Sequence, residues 1–245
     1  ALQADVRYDG RKKEQFRDVE LEVNFTTTGE GSAIVRAGDC EVMAGVKLSI
    51  GTPYADSPDE GVLMVGCELL PMAHGSIESG PPGIDAIEIG RVIDRGIRES
   101  HAIDVKQLCI EPGERVWMVS VDIIPVNHNG NLIDLGSLAA LAALKATKFP
   151  PIVDGNVDYK QKTDKGLEIS KQPVPVTVCK VGKELFIDPS FEEEQLVEAR
   201  ITVTSLDEKH ICSLQKGGDG SFSAEELAKA FDLATQVGVQ LRKKL

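Results

Sequence analysis

The 245-residue sequence predicts an α+β protein built from two similar halves. Three observations carry this. Strand-like runs come as hairpins followed by a helix, and the same pattern then restarts in shorter form. Between the two lies "KFPPIVDGNVDYKQKTDKG", which breaks all periodicity. The predicted boundaries are residues 1–150 for the first domain, 151–171 for a linker and 172–245 for the second domain.

In the first half, "DVELEVNF" alternates Val19, Leu21 and Val23 with acidic residues, as a half-buried strand does. "SAIVRAGDCEVMAGVKLSI" reads as a hairpin turning at Gly38-Asp39, and "VLMVGCELL" as a further buried strand. Pro81-Pro82-Gly83 forbid regular structure, and Asp85 with Glu88 three residues on predicts a capping box at the start of a helix. "KQLCI" and "RVWMVSVDIIPV" read as strands, the second apolar on both faces and therefore central. "IDLGSLAALAALKAT" is an alanine-rich helix suited to close packing on a sheet.

In the second half, "VPVTVCKV", "ELFID", "ARITVTSL" and "HICSLQK" read as strands. A loop and a long terminal helix close the chain, with Ser223 and Glu226 as a second capping box.

The balance of 27 basic against 39 acidic residues, a formal net charge of −12, excludes indiscriminate nucleic-acid binding over the whole surface. Any such contact must be local, or shared with a more basic partner. Cys40, Cys67, Cys109, Cys179 and Cys212 are scattered singly without a CxxC pair, which predicts reduced thiols in a cytoplasmic protein. His74, His101, His128 and His210 show no metal-ligand spacing, so neither a metal nor a cofactor is expected. No apolar run has the length of a membrane span, and the first residues do not read as a targeting segment.

Four segments could carry chemistry. "GGDGS" at Gly217–Ser221 could cradle a phosphate, but it lacks the Walker lysine and reads better as a flexible loop. "DPSFEEEQLVEAR" concentrates Asp188, Glu192, Glu193, Glu194 and Glu198 in no calcium-loop spacing, and reads as a solvated face. "NHNGNLID" offers turn chemistry between a strand and a helix. In "EIGRVIDRGIRES", Arg91, Arg95 and Arg98 fall within an arc of roughly 60° on a helix. Ile89, Val92, Ile93 and Ile97 lie opposite. That cationic front is either a binding surface or a solvated face with Glu88–Arg91 and Asp94–Arg98 pairs.

Several segments together resemble one family: "RYDGRKKEQFR", "GSAIVRAGDCEVMAGVK", "DEGVLMVGCELLPMA", "AIEIGRVIDRGIRES", "EPGERVWMVSVDII", "NGNLID", "DGNV", "DPSFEEE" and "QKGGDGSFS". They are similar, in order and over nearly the whole chain, to the RNase PH-type subunits of the archaeal exosome, and among these to the non-catalytic type. The resemblance implies two RNase PH-like domains with βαβ-type sheets packed against helices, of the ribosomal protein S5 domain 2-like kind. It further implies heterodimers with a catalytic RNase PH-type subunit, three of which close a six-membered ring that works with RNA-binding cap subunits. Single-stranded RNA entering such a ring is shortened from its 3′ end by phosphate, releasing nucleoside diphosphates.

Two departures from the catalytic pattern matter. Catalytic members place Gly-Ser-Arg or Gly-Thr-Arg, which holds the phosphate, where this chain has Gly130-Asn131-Leu132. They also carry an aspartate where this chain has Arg200. The resemblance therefore implies a non-catalytic subunit with Arg91 and Arg95 facing RNA phosphates at the ring interface, and Arg98 on the same face. The alternative is an autonomous phosphate-dependent 3′-to-5′ exoribonuclease in which Asp188 or Glu194 replaces the missing acid.

Overall fold

A computed structural model describes residue 2 and residues 5–245 of the chain. Its first sheet contains β1 (Val19–Val23), β2 (Gly31–Ala37), β3 (Cys40–Gly51), β4 (Val62–Cys67), β5 (Cys109–Glu111) and β6 (Arg115–Asn127). Their order is β1-β2-β3-β6-β4, with β5 on β6. Gly38, at φ +55°, makes the predicted reversal between β2 and β3, because the left-handed region carries no penalty without a Cβ. β4 runs parallel to β6, so helix α1 (Ile84–Glu99) lies on the crossover of a βαβ unit.

The second sheet is β10 (Glu184–Ile187), β9 (Val174–Val181), β11 (Ala199–Ser205) and β12 (Ile211–Gly217), in that order and antiparallel throughout. All four strands lie where the alternation predicts them. A four-residue helix α3 (Phe191–Glu194) joins β10 to β11, and α4 (Ala224–Arg242) packs on β9 and β11. α4 begins on the predicted capping box, with the Ser223 hydroxyl accepting from the Glu226 amide.

Helix α2 (Leu132–Ala146) touches β2, β3 and β6 of one sheet and β9 of the other. Every residue from Leu132 to Leu144 is buried, so this helix has no solvent face. The small side chains allow close approach: a Cβ on Gly31 of β2 would stand 2.3 Å from the Ala143 carbonyl oxygen. Alanine richness thus becomes a helix shared by both sheets.

Three readings are corrected. α1 starts at Ile84 with Gly83 as its N-cap and no side-chain cap, so Asp85 and Glu88 form no capping box. The helix therefore starts two residues earlier than the acid spacing suggested, directly after Pro81-Pro82 and its Gly83 cap. β6 is flanked by β3 and β4, yet its burial alternates along most of its length, so only one face is fully covered. Of "KQLCI", the stretch Val105–Leu108 is a 3₁₀ turn and only Cys109–Glu111 is strand. The segment after Ala146 is irregular but not loose. Its short hairpin pairs Ile152–Val153 (β7) with Asn156–Val157 (β8), while Phe149 and Leu167 are buried and Lys148 bridges Gly166. Among the described residues, no helix is long and apolar enough to cross a membrane.

Candidate functional site

The helix α1 buries Ala86, Ile89, Gly90, Val92, Ile93, Gly96 and Ile97, as the apolar spacing requires. Its three arginines share the opposite side but have different surroundings. Arg91 is exposed and makes no ion pair among the described residues. Arg95 is half-buried and donates from Nη1 to Gln215 Oε1 on β12 at 2.9 Å. Arg98 donates to both Asp94 oxygens, at 2.7 and 3.0 Å, and to the Leu63 carbonyl at 2.9 Å. The Asp94–Arg98 pair read from spacing therefore forms. The Glu88–Arg91 pair does not, because Glu88 Oε2 accepts from Arg200 Nη2 of β11 at 2.7 Å.

Beside the start of α1 lies a cleft of about 740 Å³ between the domains, lined by the 76–83 loop, the first turns of α1, the head of α2, α3 and β11. Gly130 precedes α2 at φ +84°, and a Cβ there would stand 2.3 Å from the Pro189 carbonyl oxygen. Asn131 follows at φ 59°, another left-handed residue. "NHNGNLID" is thus turn chemistry, as read. Its cation-poor character persists in space, since Leu132 is buried at the head of α2 where a phosphate-binding side chain would be needed.

Carboxylates dominate this cleft. Glu78, Asp85, Glu88 and Glu194 line it against a single guanidinium, Arg200, which Glu88 already neutralises. Glu194 Oε1 accepts the Asn131 amide at 2.7 Å, so the protein's own carboxylate occupies the N-terminal end of α2. Burial pushes Glu194 up to about 7 despite that hydrogen bond. His128, 4.0 Å away, is driven down to about 4 by burial and by His74, and stays neutral at physiological pH. The cleft can move a proton through Glu194, but among the described residues it has no free cation to hold an attacking phosphate.

The acidic run is not the solvated face its charge suggests. Asp188 is fully buried; it accepts from Arg11 Nη1 at 2.6 Å, from Arg17 Nη2 at 2.7 Å and from Asn131 Nδ2 at 2.8 Å. Burial would raise the Asp188 carboxyl, yet the hydrogen bond and charge of Arg17, with Arg11, outweigh it and hold it below the usual carboxylate range. Such a group stays ionised and cannot serve as a general acid. Glu193 is buried against Arg7, whose Nη1 and Nη2 also hold the Ile187 and Asp188 carbonyls at 2.9 and 2.7 Å. Glu192 and Glu198 do face solvent. The missed signal was the set Arg7, Arg11 and Arg17 in the N-terminal arm: Arg11 pairs locally with Asp9 at 2.6 Å, yet all three also reach the acidic run.

"GGDGS" is a loop, but a tied one. Gly218 sits at φ +77°, the Gly220 amide donates to the Glu198 carbonyl at 2.7 Å, and Lys180 Nζ donates to the Ser221 carbonyl at 2.8 Å. Its neighbouring helix end is closed by Ser223 and Glu226, leaving no open anion cradle there.

Residues 15–150 match the model described as "3' exoribonuclease family, domain 1", and residues 171–237 match "3' exoribonuclease family, domain 2". The chain is 43% identical to the exosome complex component Rrp42 of Methanopyrus kandleri over 245 residues, covering 99% of this chain and 92% of the relative. It is 44% identical to the component of the same name from Thermoplasma acidophilum, covering 97% of this chain and 89% of the relative. Among solved structures, a chain of the Archaeoglobus fulgidus exosome with RNA bound to the active site superposes with a TM-score of 0.93 at 40% identity, covering 99% of this chain and 94% of that one.

Proposed function

The chain belongs to the 3′ exoribonuclease family of RNase PH-type proteins, and on that premise we propose that it is a non-catalytic, RNA-binding and structural subunit of an archaeal exosome ring. Residues 1–150 and 172–245 are its two RNase PH-like domains, with 151–171 connecting them, and it works in the cytoplasm. It alternates with a catalytic RNase PH-type partner, since head-to-tail interfaces that close give rings. RNA-binding cap subunits deliver single-stranded RNA to that ring. Arg91 and Arg95 hold the RNA's phosphates near the partner's active site; Arg98, already paired with Asp94, contributes less.

The observation that carries the reading is the state of this chain's own cleft. A phosphorolytic site must hold an anionic nucleophile. Here Leu132 heads α2, Glu194 occupies its amide end, and Arg200 is spent on Glu88. A second reading, an autonomous phosphate-dependent 3′-to-5′ exoribonuclease, draws on one feature: Glu194, at about 7, could donate a proton. One assay decides between them. The purified chain alone, given single-stranded RNA and phosphate, should release no nucleoside diphosphate, and release should appear when a catalytic partner is added. Phosphorolysis by the chain alone would establish the second reading.

A further inference from the structure

Arg200 stands where the catalytic pattern has an acid, and the structure gives it a task of its own. From β11 of the second sheet its Nη2 reaches Glu88 Oε2 at 2.7 Å, three residues before Arg91 on α1. Its seat is made by the neighbouring strand. Gly217 of β12 is the register partner of Arg200, and a Cβ there would come within 2.8 Å of the guanidinium carbon. Two residues away on β12, Gln215 takes the second tie, from Arg95 at 2.9 Å. Just beyond the Arg95 tie α1 lies close on the second domain, since a Cβ on Gly96 would stand 3.2 Å from Thr204 Cγ2.

We infer that Arg200 is a positioning residue: its ion pair with Glu88 fixes the pitch of α1 on the second domain and so aims Arg91 at RNA. The inference rests on the reading of Arg91 and Arg95 as phosphate ligands. The competing role for Arg200 is direct contact with RNA, since its side chain remains 32% exposed. The two roles differ in what Glu88 does. If Arg200 only positions α1, removing the Glu88 charge loosens the helix and weakens RNA binding. If Arg200 binds phosphate, removing that charge frees the guanidinium and tightens binding.

The test uses rings assembled with a catalytic partner and a single-stranded RNA probe. Glu88→Gln is close to isosteric and keeps the test alive if Arg200→Met folds poorly. Each should lower RNA affinity about threefold to tenfold, and the double variant should be no weaker than the worse single, because both remove one tie. Arg200→Lys, which keeps the charge toward Glu88, should retain most of the affinity. The salt slope should stay unchanged in Glu88→Gln, since every phosphate-binding cation is still in place. Tighter binding by Glu88→Gln would overturn the inference in favour of a phosphate ligand. Unchanged affinity in both singles, alongside weaker binding by Arg91→Ala/Arg95→Ala, would overturn it while leaving the proposed function standing. If the Arg91/Arg95 variant also bound normally, the proposed function itself would fail.

Discussion

Arg17 grips both oxygens of Asp188, with Nη2–Oδ1 at 2.7 Å and Nε–Oδ2 at 2.9 Å, and the same guanidinium donates to the Asn129 carbonyl at 2.8 Å. One side chain from the N-terminal arm thereby fixes the loop that launches α2 and the start of the acidic run. Replacing Asp188 by asparagine leaves the buried Arg17 guanidinium without its counter-charge. The expected cost is about 3–5 kcal/mol in chemical denaturation, the range for breaking a buried pair from one side. A loss below ~1 kcal/mol would show that the arm is not needed for stability.

The same pair sets the acid limit of the fold. The Asp188 carboxyl is lower in the folded chain than in the unfolded one, so its contribution is fully present above the ordinary carboxylate value and fades as pH falls through the folded value. Stability should therefore drop below about pH 4 in the parent chain, and this part of the slope should be absent from Asp188→Asn. Equilibrium unfolding at a series of acid pH values reads it directly.

Glu194 works with the opposite sign. Its folded value, about 7, lies above the unfolded one, so the folded state holds a proton that the unfolded state releases, and stability falls as pH rises through that window. Glu194→Gln keeps an oxygen for the Asn131 amide while removing the charge. Its thermal midpoint should exceed the parent's more at pH 8 than at pH 5. Equal gains at both pH values would mean that Glu194 is not strained by burial.

At Gly130 the backbone decides. With φ +84° and a would-be Cβ 2.3 Å from the Pro189 carbonyl, Gly130→Ala faces both a disfavoured conformation and a clash. A glycine at a compatible φ gains about 0.4–1 kcal/mol on becoming alanine; here a destabilisation larger than that is expected, measured by denaturant midpoint. Gly45, with nothing within 4 Å of its Cβ position, is the matched control.

For the cationic face, Arg91→Ala/Arg95→Ala should leave the fold intact, because the buried side of α1 is untouched. RNA affinity of the assembled ring should fall for all sequences alike. Its salt slope should shrink by roughly 0.7 for each RNA phosphate that no longer has a cation on it. Arg98→Ala should affect RNA less and cost about 0.5–1 kcal/mol in stability, since Asp94 and the Leu63 carbonyl already hold that side chain at the surface.

Much of this was legible in sequence because it is local. The alternation of β9 to β12, the Gly38 reversal and the Ser223–Glu226 box each depend on residues a few positions apart. So does the buried stripe Ile89, Val92, Ile93 and Ile97. The failures at the candidate site are long-range. The run at Asp188–Glu194 looked solvated because its counter-charges, Arg7, Arg11 and Arg17, stand more than 170 positions away in the chain. Glu88 looked like a helix cap or a partner for Arg91, and nothing near it in sequence announces Arg200. At the cleft, Leu132 and Arg200 are readable as departures from a pattern. That Glu194 accepts the Asn131 amide just before Leu132 is visible only in space.

The helix α2 has a consequence for how the molecule can come apart. Buried along its length between two sheets, it is the inner wall of both domains at once. Neither sheet keeps a complete interior if the other leaves. A protease that cuts the exposed stretch around Tyr159–Lys162 should therefore yield two fragments that still elute together and melt together. The seam between the halves runs through the middle of a shared wall, and the cut falls in the part of the connecting segment that lies outside it.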